Sequence, residues 1–251
     1  MAALIGERAW RRDAAGESGG AVYRLVGGGD LYLKWGEHAV AQAIADEAHR
    51  LWWLQGRMPA ARPLSFVTQD AQAWLLTAAL PGRSGDAWLE RDPALLPRII
   101  DAFASFLVQL HALDPAECPF RADAAVRIAD ARRQVREGLV DEDDFDPDHE
   151  GWSAGDVLAE VERLAPIAKA TCVTHGDFSL GNLILDEGMT VTGCIDVGRL
   201  GVADPYQDIA IFWQNLAEHG PAMQQRFLDA IGLRQPDADR LALHRCLDEL
   251  F

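Results

Sequence analysis

The distribution of apolar positions predicts strands in the first third of the chain and mostly helices beyond it. Residues 21–26 and 31–35 form strand-like runs joined by a Gly-Gly-Gly-Asp turn, and residues 75–80 form a buried strand that leaves into a Pro-Gly linker. A helix is predicted between these strands, over residues 37–55. Further helices are predicted over residues 95–112, 124–138, 153–164, 208–217, 223–231 and 238–250.

Short strands interrupt the helical part of the chain. Residues 171–174 predict a strand that runs into a loop at His175, and residues 182–185 and 191–195 predict a hairpin around an Asp-Glu-Gly turn. Asn182 opens this hairpin and Asp196 closes it. We therefore expect their side-chain oxygens to lie side by side.

Three oxygen-bearing residues in this region have the order of a phosphoryl-transfer site. Asp177 lies in T-H-G-D-F-S-L-G-N-L, five positions before Asn182, and Asp196 begins the segment D-V-G-R. The same interval separates the catalytic Asp and the metal-binding Asn of kinases, and a second Asp then holds magnesium against the triphosphate. Asp177 is thus predicted to be the base, and Asn182 and Asp196 the Mg²⁺ ligands. A hairpin with polar ends would explain the turn, but not three correctly ordered oxygens.

Lys34 is the first-lobe residue with the clearest chemical signal. The chain has 21 arginines and only two lysines, and Lys34 lies inside the strand L-Y-L-K-W. Kinases use an inward lysine at this place to hold phosphates, paired with a carboxylate from the next helix. Asp46 and Glu47 are the candidates for that partner. A lysine that only extends from an edge strand into solvent is the alternative.

The negative charge is confined to the second part of the chain. The formal charge is −16, yet residues 1–82 hold eight basic and eight acidic side chains, so residues 83–251 carry all of it. Seven carboxylates and no Lys or Arg lie in residues 138–150, which we call the acidic segment, and the chain ends in L-D-E-L-F. Such a surface repels nucleic acid and anionic membrane and attracts polycations. Solubility alone is the competing explanation.

Length and composition suggest two lobes, a nucleotide-binding lobe over residues 1–82 and a catalytic and acceptor-binding lobe over residues 83–251. Four scattered cysteines favour reduced core thiols over disulfides or zinc ligands. No run approaches a membrane span and no signal segment is evident, so we expect a cytoplasmic protein without membrane or nucleic-acid partners.

Several motifs closely resemble the aminoglycoside 3′-phosphotransferases, the kanamycin and neomycin kinases. These are T-H-G-D-F-S-L-G-N-L-I, C-I-D-V-G-R-L-G-V-A-D-P-Y-Q-D-I-A and the ending L-D-E-L-F, and the likeness covers almost the whole chain. It implies an α+β, protein-kinase-like fold, with a small antiparallel sheet lobe carrying one helix and a larger, mostly helical lobe carrying a catalytic hairpin. It also implies ATP-dependent phosphorylation of the 3′-hydroxyl of an aminoglycoside, which causes antibiotic resistance.

The resemblance extends to individual positions. On the nucleotide side it implies that Lys34, paired with Glu47, binds the phosphates and that Ser18 lies in the phosphate-covering loop. It also implies that Tyr32 stacks on adenine and that the backbone of Ala78 and Leu80 contacts the adenine edge. On the acceptor side it implies contacts to amino groups and an arginine that follows the magnesium Asp. The matching positions are Asp143, Asp144, Asp146, Arg199, Glu218, Asp248, Glu249 and the Phe251 carboxylate. Gln214 and His219 depart from the residues that several family members carry.

Two other functions stay open on the sequence. One is a kinase of another small hydroxyl compound, such as choline, homoserine or a sugar, although a single-cation acceptor would favour an aromatic cage over dispersed carboxylates. The other is a non-catalytic nucleotide-binding or cation-binding protein, which would need neither Asp177 nor Asn182. The expected partners are ATP, Mg²⁺ and a polycationic small molecule, and the expected state is a monomer or weak dimer.

Overall fold

The structure, a computed structural model, describes residues 1–13 and 20–251. Its strands are β1 (Ala9–Asp13), β2 (Ala21–Val26), β3 (Leu31–Glu37), β4 (Pro63–Gln69), β5 (Gln72–Ala78), β6 (Arg83–Ser84), β7 (Cys172–Thr174), β8 (Leu183–Leu185), β9 (Val191–Cys194) and β10 (Gly201–Ala203). Its α-helices are α1 (Ala2–Ile5), α2 (His38–Leu54), α3 (Gly85–Arg91), α4 (Leu96–His111), α5 (Ala124–Glu137), α6 (Ala154–Leu164), α7 (Tyr206–Asn215), α8 (Pro221–Ala230) and α9 (Ala238–Asp248).

The chain packs as two compact units, Met1–Ala87 with Gly181–Arg199, and Trp88–Leu180 with Leu200–Phe251. Residues 181–199, which carry the β8–β9 hairpin, therefore pack with the N-terminal part of the chain. The assignment of nucleotide binding to residues 1–82 and of acceptor binding to residues 83–251 stays a prediction, because packing alone identifies no ligand.

In the first unit, the described residues form a five-stranded antiparallel sheet in the order β1-β2-β3-β5-β4. Side chains alternate between its two faces. Lys34 and Gly36 of β3 face α2. Leu31 and Leu33 pack on the other face with Leu25 and Leu76. A Cβ at Gly36 would lie only 2.2 Å from Val40 Cγ1, so the close approach of β3 to α2 requires glycine there.

The second unit is mostly helical. Helices α5, α6 and α9 enclose one apolar cluster, which includes Ile128, Val157, Val161 and Leu243. Helix α6 begins at a capping box in which Ser153 and Asp156 satisfy each other's backbone N–H groups. These helices fold because their apolar stripes match one another at helical spacing.

A buried carboxylate, Asp204, joins α9 to the segment before α7. It accepts from the backbone N–H of Lys169 at 2.7 Å and pairs with the Arg240 guanidinium. Burial raises the pKa of Asp204, but the nearby His244 ring, the Arg240 guanidinium and the hydrogen bonds from backbone N–H groups outweigh burial and hold it well below the ordinary value.

Most sequence-based elements are confirmed, with ends that differ by a few residues. Strand β2 and the helices α2 and α4 lie where the apolar pattern predicts them, and β8 pairs with β9 in the expected hairpin. Strands β1 and β4 were not predicted. Strand β1 is mostly exposed and carries two arginines, so it has no apolar signal of its own and forms by pairing with β2.

Among the described residues, one helical stretch, Pro93–His111, is long and apolar enough to cross a membrane by length and composition. The expectation that no run approaches a membrane span is wrong in that respect. Helix α4 within this stretch buries Ile99, Phe103 and Leu107, as the core helix of a globular unit does.

Candidate active site

Lys34 is the centre of the site in the first unit. Its Nζ lies 2.7 Å from Glu47 Oε2 on α2 and also contacts the Asp196 carboxylate. Glu47 is only 7% exposed. Burial lowers the pKa of Lys34, but the charges of Glu47 and Asp196 and their hydrogen bonds outweigh it, so the pKa is raised and the ammonium stays charged.

These contacts decide between the two partners that the sequence left open. Asp46 lies near Arg50, 3.9 Å away along the same helix, and Glu47 faces Lys34. Lys34 is therefore not a lysine extended into solvent. A lysine paired to a helix carboxylate is the arrangement that kinases use to hold phosphates.

Asn182 and Asp196 lie on neighbouring backbone segments at one end of the β8–β9 hairpin. The Ile195 N–H donates to the Asn182 carbonyl oxygen at 3.0 Å, which joins the residues that flank the two strands. Asp196 has a left-handed backbone, with φ 55°, which is unfavourable for a residue with a Cβ and is typical of functional sites.

The amide oxygen of Asn182 and the carboxylate of Asp196 are ligand types that suit Mg²⁺. The described residues contain no group of three or more His, Cys, Asp or Glu that could hold a metal ion. Mg²⁺ usually takes one or two protein oxygens and completes its shell with phosphate oxygens and water. The Asn182 amide and the Asp196 carboxylate would suffice for that mode of binding.

The residues expected at the adenine differ in how far the structure describes them. Tyr32 lies two positions before Lys34 on the same face of β3, and burial raises the pKa of its hydroxyl. The N–H of Ala78 already donates to the Arg62 carbonyl oxygen at 2.9 Å, so an adenine contact from Ala78 would use its carbonyl. Leu80 is half-buried. Ser18 lies outside the described residues.

In the second unit, helix α7 fixes the loop that carries Asp177. The fully buried Asp208 accepts from the backbone N–H of Gly176 at 2.8 Å and of His175 at 2.9 Å, and its carboxylate also lies 2.9 Å from His111 Nε2. On the other side of Asp177, the Leu180 N–H donates to Asn215 Oδ1 at 3.1 Å.

Aromatic packing also fixes the loop that carries Asp177. Phe178 is fully buried, with its ring 5.8 Å from Phe103 and 5.6 Å from Phe212, whereas Asp177 itself stays half-buried. Gly176 has φ 88°, a conformation that favours glycine. The loop thus holds one accessible carboxylate between two fixed neighbours.

Sequence reasoning missed the supporting residues His111, Asp208 and Asn215. The motif D-P-Y-Q-D-I-A contained Asp208, and an acid in an otherwise apolar helical stretch was the available signal. The residues that Asp208 and Asn215 hold are remote in sequence, so their roles emerge only from the tertiary contacts.

Five of the expected acceptor residues fall into two groups. Asp143 and Asp144 lie in an exposed turn, and Glu218 is exposed in a turn after α7. Asp146 and Glu249 are brought together, because the Asp146 N–H donates to Glu249 Oε1 at 3.1 Å. Burial raises the pKa of Glu249, against the opposing effect of its hydrogen bond to His149.

The chain end follows α9 directly. The Phe251 N–H donates to the Asp248 carbonyl oxygen at 3.2 Å, and the Arg127 guanidinium lies 4.1 Å from the centre of the Phe251 ring. This cation–π contact holds the terminal residue against α5. Arg199, in contrast, belongs to the first unit, in a short 3₁₀ turn (Val197–Arg199) that packs against α2.

The fold and the lysine–glutamate pair define a protein-kinase-like phosphotransferase. The sequence profile of the phosphotransferase enzyme family matches residues 9–244. An aminoglycoside 3′-phosphotransferase of Escherichia coli is 44% identical over 245 residues, which cover 96% of this chain and 90% of that relative. The chain therefore belongs to the phosphotransferase enzyme family, and it is an enzyme that phosphorylates a hydroxyl group.

Solved structures agree with this assignment. An aminoglycoside-3′-phosphotransferase of type VIII has a TM-score of 0.90 at 36% identity, covering 100% of this chain and 96% of its own. An aminoglycoside phosphotransferase of Streptomyces rimosus, solved with ADP and streptomycin, has a TM-score of 0.84 at 29% identity, covering 99% and 94%.

Proposed function

We propose that this protein transfers the γ-phosphate of ATP to the 3′-hydroxyl of a kanamycin- or neomycin-type aminoglycoside and thereby confers resistance to the antibiotic. The observation that carries this proposal is identity of 39–44% over at least 96% of the chain to relatives named aminoglycoside 3′-phosphotransferase. The acid-rich second unit supports a polycationic acceptor, since carboxylates pair with its ammonium groups.

Asp177 is the base in this proposal. It accepts the proton of the 3′-hydroxyl while the oxygen forms its bond to the γ-phosphorus and the bond to the β–γ bridging oxygen breaks, which releases ADP. The clamp from Asp208 and Asn215 supports this role, because positioning provides most of the catalysis in phosphoryl transfer.

Lys34, held by Glu47, contacts the phosphates, and Asn182 and Asp196 would hold Mg²⁺. Mg²⁺ bound there would neutralise the charge on the phosphate oxygens. The adenine is contacted by Tyr32, Ala78 and Leu80, and Ser18 lies in the phosphate-covering loop. Asp143, Asp144, Asp146, Arg199, Glu218, Asp248, Glu249 and the Phe251 carboxylate remain the proposed acceptor residues.

The test is phosphate transfer from labelled ATP to kanamycin, to a 3′-deoxy aminoglycoside, to streptomycin, and to choline and homoserine. We expect transfer to kanamycin and none to the 3′-deoxy compound. Transfer to the 3′-deoxy compound would move the acceptor to another hydroxyl, and transfer only to choline or homoserine would replace the substrate class.

Asp177→Asn in the same assay separates chemistry from binding. A general base contributes roughly two to four orders of magnitude to the rate, so kcat should fall by about that factor while the KM for ATP stays near the wild-type value. Turnover near the wild-type rate would remove Asp177 from the role of base.

A further inference from the structure

Two helices hold the acidic segment through one carboxylate, Asp146. Arg245 on α9 donates from Nη2 to Asp146 Oδ2 at 3.1 Å and lies 2.9 Å from Asp148 Oδ2. Gln214 on α7 donates from Nε2 to Asp146 Oδ1 at 2.7 Å. Each oxygen of Asp146 thus has a donor from a different helix.

A second, mostly buried contact lies beside the first. His149 Nδ1 lies 2.8 Å from Glu249 Oε1, and the side chains of His149 and Glu249 are only 12% and 7% exposed. The His149 ring packs 4.8 Å from Trp152, between centroids. The segment between Asp146 and Trp152 is therefore joined to the end of α9 at two places.

The acidic segment needs a cation from elsewhere to keep this conformation. It contains seven carboxylates and no Lys or Arg, so its charges repel one another. Arg245 supplies a guanidinium that is only 15% exposed and lies 5.8 Å from the Trp213 ring. Arg245 brings a positive charge to two of these carboxylates, Asp146 and Asp148, and hydrogen bonds between oppositely charged groups are stronger than neutral ones, so we expect Arg245 to be the principal restraint on the segment.

We infer that Arg245 is a positioning residue that, together with Gln214, holds the acidic segment in the conformation in which Asp143 and Asp144 meet the amino groups of the acceptor. The acceptor part of this inference rests on the proposed function. A carboxylate offers about four acceptor positions, so Asp146 can bind Arg245 and Gln214 and still accept from an ammonium group.

Arg245→Gln tests the inference through two measurements. Hydrogen exchange of the amides in residues 141–152 should become faster, and the KM for kanamycin should rise about tenfold, the change that about 1.4 kcal/mol of lost binding free energy produces. The kcat and the KM for ATP should stay near wild-type values. Arg132→Gln is the matched control, because it removes an equal charge from an exposed pair with Glu162 in the same unit.

Relocation of the cation distinguishes positioning from a merely structural role. In the double variant Gln214→Arg with Arg245→Gln, the guanidinium approaches Asp146 from α7, and the KM for kanamycin should return toward the wild-type value. Arg245→Lys, which keeps the charge without the planar fork, should lie between wild type and Arg245→Gln, and it replaces Arg245→Gln if that variant fails to fold.

Different results of these measurements would contradict the anchoring role of Arg245, its positioning role or the proposed function. Unchanged hydrogen exchange in residues 141–152 overturns the anchoring role, whatever the substrate is. Faster exchange with a kanamycin KM equal to that of the Arg132→Gln control overturns the positioning role. If the wild-type protein phosphorylates no aminoglycoside, the proposed function fails, and the exchange measurement still decides whether Arg245 holds the segment.

Discussion

The buried carboxylate of Asp208 offers the sharpest test of how the catalytic loop is held. In Asp208→Asn one oxygen becomes an NH₂ group. The NH₂ group replaces either Oδ1, which accepts from the Gly176 N–H, or Oδ2, which accepts from the His175 N–H and lies next to His111 Nε2. One or two of the three contacts are therefore lost or place two donors against each other. The remaining contacts lose the assistance of the negative charge.

The expected loss of stability in Asp208→Asn follows from these contacts. A hydrogen bond to a charged group contributes about 1.5–3 kcal/mol, and a buried donor left without an acceptor costs about 1–3 kcal/mol more. We therefore expect the free energy of unfolding to fall by about 3–5 kcal/mol. At about 2–4 °C per kcal/mol for a chain of roughly this size, the Tm should fall by about 6–20 °C.

Thermal unfolding and steady-state kinetics measure the two consequences. At a temperature well below the Tm of the variant, kcat should fall by at least about tenfold, because small displacements of a catalytic group can cost about a hundredfold. The KM for ATP should change little, since Lys34 and Glu47 are untouched. Asp101→Asn, which breaks an exposed pair with Arg226, is the control and should cost at most about 1 kcal/mol. A Tm and kcat for Asp208→Asn equal to those of the control would refute the reasoning.

Three further results are expected. Glu47→Gln removes the charge that holds Lys34, so the KM for ATP should rise about tenfold or more while the KM for kanamycin stays constant; an unchanged KM for ATP would contradict the pairing. Deletion of Phe251 moves the terminal carboxylate, so the KM for kanamycin should rise with an unchanged KM for ATP, and a kanamycin KM that does not move would exclude that carboxylate from the acceptor site. Because the pKa of Asp204 lies below its ordinary value in the folded protein, its pairing with Arg240 stabilises the fold above about pH 4, and this contribution is lost as the pH falls below that value. The difference in unfolding free energy between wild type and Asp204→Asn should therefore shrink in acid, and a difference that is constant with pH would count against the assignment.

The sequence by itself determined the local elements and the order of the chemical groups. The β8–β9 hairpin and the helix α4 follow from turn residues and from the spacing of apolar side chains, which act over a few positions. The order of Asp177, Asn182 and Asp196 is likewise a property of the sequence, as is the separation of a neutral from an acidic part of the chain.

Strand β1 and the choice of Glu47 over Asp46 were decided by tertiary structure. A strand with an exposed, basic sequence forms because β2 offers its backbone hydrogen bonds, and a helix presents one of two adjacent acids to Lys34 because its residues lie about 100° apart.

Tertiary contacts also decided which carboxylates already accept hydrogen bonds from other side chains of the protein. The sequence presents Asp143 and Asp146 as equivalent members of one acidic segment. In the folded chain Asp143 is exposed, whereas Asp146 is held by Gln214 and Arg245, which lie 68 and 99 positions away. Burial and hydrogen bonding over such separations arise only when the helices pack, and no local pattern encodes which carboxylate will meet which donor.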